Sequence, residues 1–127
     1  MSLERLTAPG LSPPVGPFVH GVRAGNLVFV SGQVARGADG QTVGVGDVEA
    51  QTEQAMENLR AVLATAGASF ENVAFMRIYL RNIADRERSG AVRRRMCGAA
   101  LPASTLVEVS ALSHPDYLIE IEAIAVL

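Results

Sequence analysis

The last quarter of the chain, LPASTLVEVSALSHPDYLIEIEAIAVL over residues 101–127, constrains the fold more than any other stretch. β-Branched and apolar residues run on both sides of a turn-forming cluster, Ser113-His114-Pro115-Asp116, which predicts two strands joined through that turn. Side chains alternate along a strand, so Thr105, Val107, Val109 and Ala111 share one face of the first strand and Leu106, Glu108 and Ser110 the other. In the second strand Ile119, Ile121, Ala123, Ala125 and Leu127 make the dry face. Glu120 and Glu122 then fall together on the opposite face, between Leu118 and Ile124. Acidic side chains are rarely buried unless paired, so the carboxylates on these strands must meet either water or cations.

A chain of 127 residues fits a single domain, 1–127, and its 49% hydrophobic content without Trp suits an aliphatic core between sheet and helices. No run reaches the roughly eighteen apolar residues of a membrane span, and the N-terminus lacks the basic-then-apolar order of a secretory signal. The expectation is a cytoplasmic protein with no membrane association. The single cysteine, Cys97, excludes an internal disulfide and a CxxC metal site, and two histidines add little, so neither metal nor cofactor is expected. All 11 basic residues are Arg, which leaves no lysine for Schiff-base chemistry or covalent pyridoxal phosphate attachment. A net charge of -2 argues against nucleic acid as a partner. The local run Arg93-Arg94-Arg95 reads as a solvated helix face.

Residues 1–17 are rich in Pro and Gly and show no periodicity, so residues 1–15 are expected to be loosely ordered. From Phe18, FVHGVRAGNLVFVSGQ reads as two short strands about an Ala24-Gly25-Asn26 turn, the second apolar on both faces and ending in Ser31-Gly32-Gln33. A glycine there lets backbone or ligand approach closely, although a simple strand-ending turn fits the pattern equally well. Residues 35–46 form a Gly-rich connection with a hairpin tip at Asp39-Gly40, and its glycines match no phosphate-binding spacing. Asp47 is placed to cap a long helix that ends at Gly67. Its apolar stripe is Val48, Thr52, Ala55, Leu59, Val62, Leu63 and Ala66, widened by Ala50, Met56 and Ala61.

Residues 73–80, VAFMRIYL, read as a strand with Ala74, Met76, Ile78 and Leu80 dry and Val73, Phe75, Arg77 and Tyr79 on the other side. Arg77 requires a carboxylate, from Glu108, Glu120 or Glu122, or an anionic ligand. Residues 84–98 read as a second helix weakened by Gly90, with Cys97 a small buried hydrophobe rather than a nucleophile. His20 and His114 have no legible partner and read as satisfied or surface histidines. The order of three strands, helix, strand, helix and two strands predicts an α+β, or split α/β, domain with both helices on one face of a single mixed sheet. The other face is too apolar for solvent and too charged for a core, which predicts association into a closed homo-oligomer with clefts between subunits.

GPFVHGVRAGNLVFVSGQV, EQAMENLRAVLATAGASFENV, RIYLRNIAD, PASTLVEVSAL and LIEIEAIAV together resemble the reactive-intermediate deaminase family, also called Rid or YjgF, in order and over nearly the whole chain from Gly16. The resemblance implies a chorismate-mutase-like fold whose sheets face a central barrel in a homotrimer, with ligand clefts between subunits. It also implies hydrolysis of reactive enamines and imines, such as 2-aminoacrylate, to 2-keto acids and ammonia; some members are described as endoribonucleases or translation inhibitors.

Residue by residue, Glu120 matches the family's water-positioning acid and Gly32 the glycine of the SGQ turn beside the ligand. Phe18 stands where many members have Tyr, Gly90 where many have Asn, and Ser104 where the deaminating branch has the arginine that clamps the substrate carboxylate. The chain thus resembles branches that lack the clamp but carry RxY, here Arg77-Ile78-Tyr79. The expected site is Glu120 as the catalytic group, with Arg77, Ser104, Gly32, Phe18, Tyr79 and Leu106 against a small carboxylate and Arg77 doing part of the missing clamp's work. Weak or absent activity on 2-aminoacrylate follows from Ser104. Two other functions stay open, a non-catalytic carboxylate sensor and, disfavoured by the charge, a ribonuclease or translation inhibitor.

Overall fold

The structure, a computed structural model, is described over residues 2–127. Among these, β1 (Leu3–Leu6), β2 (Gly21–Ala24), β3 (Leu27–Gln33), β4 (Val73–Leu80), β5 (Ala103–Glu108) and β6 (Ile119–Val126) form one sheet in the order β1-β2-β3-β6-β4-β5. Only β4 and β5 run parallel. Helix α1 (Val48–Thr65) lies across β3 and β6, and α2 (Arg86–Cys97) packs beside α1. The fold is α+β, with both helices on one face of a single mixed sheet, as the sequence suggests.

Each end of α1 is fixed by local chemistry. Asp47 Oδ1 accepts from the backbone N–H groups of Glu49 and Ala50, each at 3.1 Å, and satisfies two of the donors that a helix start leaves free. At the other end Gly67, at φ 72°, takes the left-handed conformation that turns the chain out of the helix. Between these ends Val48, Thr52, Ala55, Met56, Leu59, Val62 and Leu63 are buried against Val28, Val30, Ile121, Ala123 and Ala125.

Three local readings change. Residues 3–6 were expected to be loosely ordered, and they form an edge strand on β2. The polar pair Glu4-Arg5 hides any strand signal, and order comes from His20, whose Nδ1 accepts from Ala8 N–H while Nε2 donates to the Ser12 carbonyl. In β4 the dry set is Val73, Met76, Ile78 and Leu80, with Ala74 exposed. A register shift against β6 between Val73 and Phe75 inserts one residue and swaps the first two faces. The two C-terminal strands do not pair with each other. β4, α2 and β5 form a crossover that puts β5 parallel on the sheet's edge, while β6 enters between β3 and β4. Thr105 and Val107, which share a face of β5, are therefore exposed on the single chain.

The Gly-rich connection after β3 adds only an isolated bridge, Arg36 to Thr42, around the Asp39-Gly40 tip. What ties the helix layer to the segment leading into β6 is a polar residue inside the apolar stripe. Gln51 is fully buried; its Nε2 donates to the carbonyls of Gly44 and Asp116, and its Oε1 accepts from Leu118 N–H. Gln51→Leu would keep the volume but strand one backbone donor and two acceptors. Loss of about 2–3 kcal/mol of unfolding free energy is expected, read from urea denaturation.

Candidate functional site

The sheet face away from the helices is ordered in rows by strand register. Phe29, Ile124 and Phe75 face one another across β3, β6 and β4; Arg77 faces Glu122, and Tyr79 faces Glu120, in successive rows. Arg77 Nη1 donates to Glu122 Oε1 at 2.5 Å, and the Tyr79 hydroxyl donates to Glu122 Oε2 at 3.1 Å. Of the two roles open to Arg77, the structure contains the ion pair. Glu122 lies directly across the ladder, and Arg77 lines neither of the two cavities described below.

Glu120, two residues along, has no such cation. On the β3 side, across from Glu122, the strand carries a bulge: Val30 pairs with Ala123 and Gln33 with Ile121, so Ser31 and Gly32 take up one residue more than β6 does. The Glu120 carboxylate turns into the space this makes and lies over Gly32, where an added Cβ would fall on it. That close approach, not an unusual φ, is why this position has no side chain. The bulge is held by Ser31 Oγ donating to the Val19 carbonyl at 2.6 Å and by Gln33 Nε2 donating to the Ser31 carbonyl at 2.9 Å. Asn58 of α1 donates to the Val34 and Arg36 carbonyls just beyond.

These groups wall a cavity of about 370 Å³ that also takes in Phe18, Tyr117 and the segment 11–15. Glu120 is half-buried in it and, among the described residues, makes no hydrogen bond or ion pair. Burial first, and the Glu122 charge second, raise the Glu120 carboxyl above its ordinary value of 4.5. Unpartnered carboxylates with raised pKa in a cleft are the groups that proton-transfer sites use.

A second cavity, of about 210 Å³, opens on the helix side between α2 and β5. Ser104 lines it with Gly90, Arg93, Arg94 and Cys97. Directly paired strand residues share a face: Ser104 pairs with Met76, and Glu120 with Tyr79. Met76 and Tyr79 point to opposite sides of β4, and so do Ser104 and Glu120. A single chain therefore cannot present both to one ligand. Burial pushes the Cys97 thiol up, against the opposing pull of Arg93 and Arg60, which keeps it a poor nucleophile.

Of the residues singled out from sequence, the fold brings together Glu120, Gly32 and Phe18. Ser104 lies apart, Leu106 packs against the core on the helix side, and Tyr79 is engaged by Glu122. The sequence reading missed Asn58, Ser31 and Tyr117. Asn58 had a signal, a polar residue on the buried stripe of α1.

Residues 10–127 match the family described as Endoribonuclease L-PSP. The chain belongs to this family. It is 36% identical over 125 residues to the 3-aminoacrylate deaminase RutC of Acinetobacter baylyi, covering 98% of each chain. It is 30% identical over 128 residues to a 2-iminobutanoate/2-iminopropanoate deaminase of Dermatophagoides farinae, covering 100% of this chain and 99% of that one. Among solved structures, YyfA of Yersinia pestis, of the conserved Rid protein family, superposes with a TM-score of 0.93 at 28% identity, covering 99% of this chain and 100% of that one. The resemblance to Rid proteins read from the motifs therefore holds, and the family supports imine deaminase-type chemistry in broad terms.

The contact between Gly32 and Glu120 is testable without any substrate. Gly32→Ala is expected to destabilise the wild-type background, because the Glu120 carboxylate must leave its position. In a Glu120→Ala background the same change should be neutral or stabilising by up to about 1 kcal/mol. A double-mutant cycle in urea should give a coupling of about 1 kcal/mol or more, and additive effects would show that the two residues do not touch.

Proposed function

We propose that the chain is a hydrolase of small imines and enamines that bear a carboxylate, acting in the cytoplasm at clefts between the subunits of a homotrimer. The observation that carries the reading is Glu120, a half-buried carboxylate with a raised pKa and no partner, held over a bulge glycine in a cavity large enough for a small metabolite. Relatives named as deaminases of 3-aminoacrylate and of 2-iminobutanoate give the reaction class. The separation of Ser104 from Glu120 on opposite sheet faces supports a site built from two chains. So does the open sheet face, where Phe29 and Val107 are 42% and 39% exposed.

In this reading Glu120 accepts a proton from water as its oxygen adds to the C=N carbon of the imine. It then returns a proton to nitrogen as the carbinolamine collapses to keto acid and ammonia. An enamine substrate reaches the same imine once its β-carbon takes up a proton. Phe18 supplies an apolar wall with no hydroxyl to offer. A second reading, a carboxylate-binding protein without turnover, is favoured by the neutral Ser104.

Two measurements bear on the proposal. Native mass spectrometry should show a trimer; a monodisperse monomer at micromolar concentration would remove the shared cleft. Glu120→Gln should lower kcat for imino acids generated by an amino-acid oxidase by roughly 10²- to 10⁴-fold while leaving keto-acid binding in place. The working form is the carboxylate, so the acid limb of the wild-type rate profile should inflect above the ordinary value of 4.5. The stability sign is the reverse. With its folded pKa raised, Glu120 contributes most below its unfolded pKa, and that contribution is lost as pH rises toward the folded value, so Glu120→Gln should gain on wild type across that interval.

A further inference from the structure

The proposed substrate carries a carboxylate, and the position that resembles the family's clamp holds a serine, which can donate one neutral hydrogen bond. The cavity lined by Ser104 nevertheless contains positive charge. Arg93, on α2, is half-buried in it; its Nε reaches Ser89 Oγ at 3.4 Å, and among the described residues it pairs with no carboxylate. Arg77 is committed to Glu122, Arg60 to Glu57, Arg88 to Asp85 and Arg95 to Glu53; Arg94 is exposed, and Arg81, half-buried with its Nε unpartnered, lines neither cavity. Burial lowers the Arg93 pKa from its ordinary value, the mark of a charge that has lost water without gaining a counter-ion. The neighbouring Cys97 is not that counter-ion, since its thiol is held protonated.

Gly90 leaves open space beside the guanidinium. Arg93 Nη2 lies 3.6 Å from where a Cβ at Gly90 would stand, so a larger side chain at position 90 would compete for the same space. The small residue at 90 and the small residue at 104 thus flank a guanidinium delivered from α2 instead of from β5.

We infer that Arg93 is the carboxylate-binding residue of this chain, gripping the anionic end of the ligand beside Ser104 while Glu120 of a second chain faces the reacting carbon. The inference rests on the imino-acid reading for the second half of that arrangement, but anion binding at Arg93 stands on the cavity itself. Arg36, whose Nη1 and Nε reach only the carbonyls of Pro13 and Gly40 at 3.4 Å, lines the Glu120 cavity and is the competing candidate.

The test is titration calorimetry of the intact protein with 2-oxobutanoate, a keto acid of the product class, alongside turnover of the matching imino acid. Arg93→Gln should weaken 2-oxobutanoate roughly ten- to hundredfold and raise KM with little change in kcat, the loss of one charge-assisted grip. Arg93→Lys should fall between. Ser104→Arg added to Arg93→Gln should restore affinity by bringing a guanidinium from β5. Unchanged affinity in a folded Arg93→Gln, loss confined to Arg36→Gln, or no binding by the wild type would each overturn the inference. If Arg93→Gln does not fold, Gly90→Asn keeps Arg93 and fills its space, and unchanged affinity there overturns it equally. The two readings fail separately. Keto-acid binding through Arg93 without turnover rejects the hydrolase and keeps the anion site, whereas turnover that depends on Glu120 but not on Arg93 does the opposite.

Discussion

The placement of β6 in the middle of the sheet is the constraint on which the rest depends. A last strand inserted between β3 and β4 is paired on both edges, so its inward residues Ile119, Ile121, Ala123 and Ala125 are fixed under α1. The alternate residues Glu120 and Glu122 are thereby forced onto the far face, with no freedom to slip by one position without burying both acids in the core. The two carboxylates are present because the register leaves them nowhere else to go. Their chemistry is decided by what stands across from each.

Both acids lie between β4 and β3: on β4 Arg77 stands across from Glu122 and Tyr79 across from Glu120, and on β3 the bulge residue Gly32 lies under the Glu120 carboxylate. The first neighbour supplies Arg77 and Tyr79, which meet both oxygens of Glu122. The second supplies only Gly32 and an opening. Two identical side chains two residues apart thus acquire opposite characters, one consumed by an ion pair and one left desolvated and free to exchange a proton. The helix layer takes part at a distance: Gln51 fixes the backbone at Leu118, and Asn58 fixes the chain just after the bulge. Both sides of the Glu120 cavity are therefore anchored to α1.

Much of this was legible in the sequence, since periodicity carries it. The period-2 pattern of LIEIEAIAV fixed which acids share a face, and the cap at Asp47 and the stop at Gly67 bounded α1. Where the reading went astray, the cause was a non-local pairing. Nothing in Leu3–Leu6 signals a strand until β2 and the His20 tether are in place. The swap of Val73 and Ala74 follows from a bulge that only the β6 register reveals. Edge against centre could not be read for β5, because both C-terminal strands are β-branched and apolar and only the crossover through α2 separates them. The site was legible in part for the same reason. Glu120 and Gly32 meet across one pair of strands, whereas the distance of Ser104 from them is a property of the whole sheet.

The partner of Arg77 bears on the site, although Arg77 itself lines no part of the cavity. Glu122 is a cause of the raised Glu120 pKa, second to burial, and its repulsion is felt two residues along the strand on the same face. Arg77, at 2.5 Å, pairs with the carboxylate that exerts this repulsion. A general base working near neutral pH benefits from a pKa raised toward the operating pH but loses its deprotonated form if raised beyond it. Burial in the cavity supplies the larger part of the upward shift, and the Glu122 charge one row away adds to it. A strand pattern that places an arginine opposite the second acid and a tyrosine opposite the first, with both side chains turned to the second, therefore leaves the first unpartnered while engaging the second.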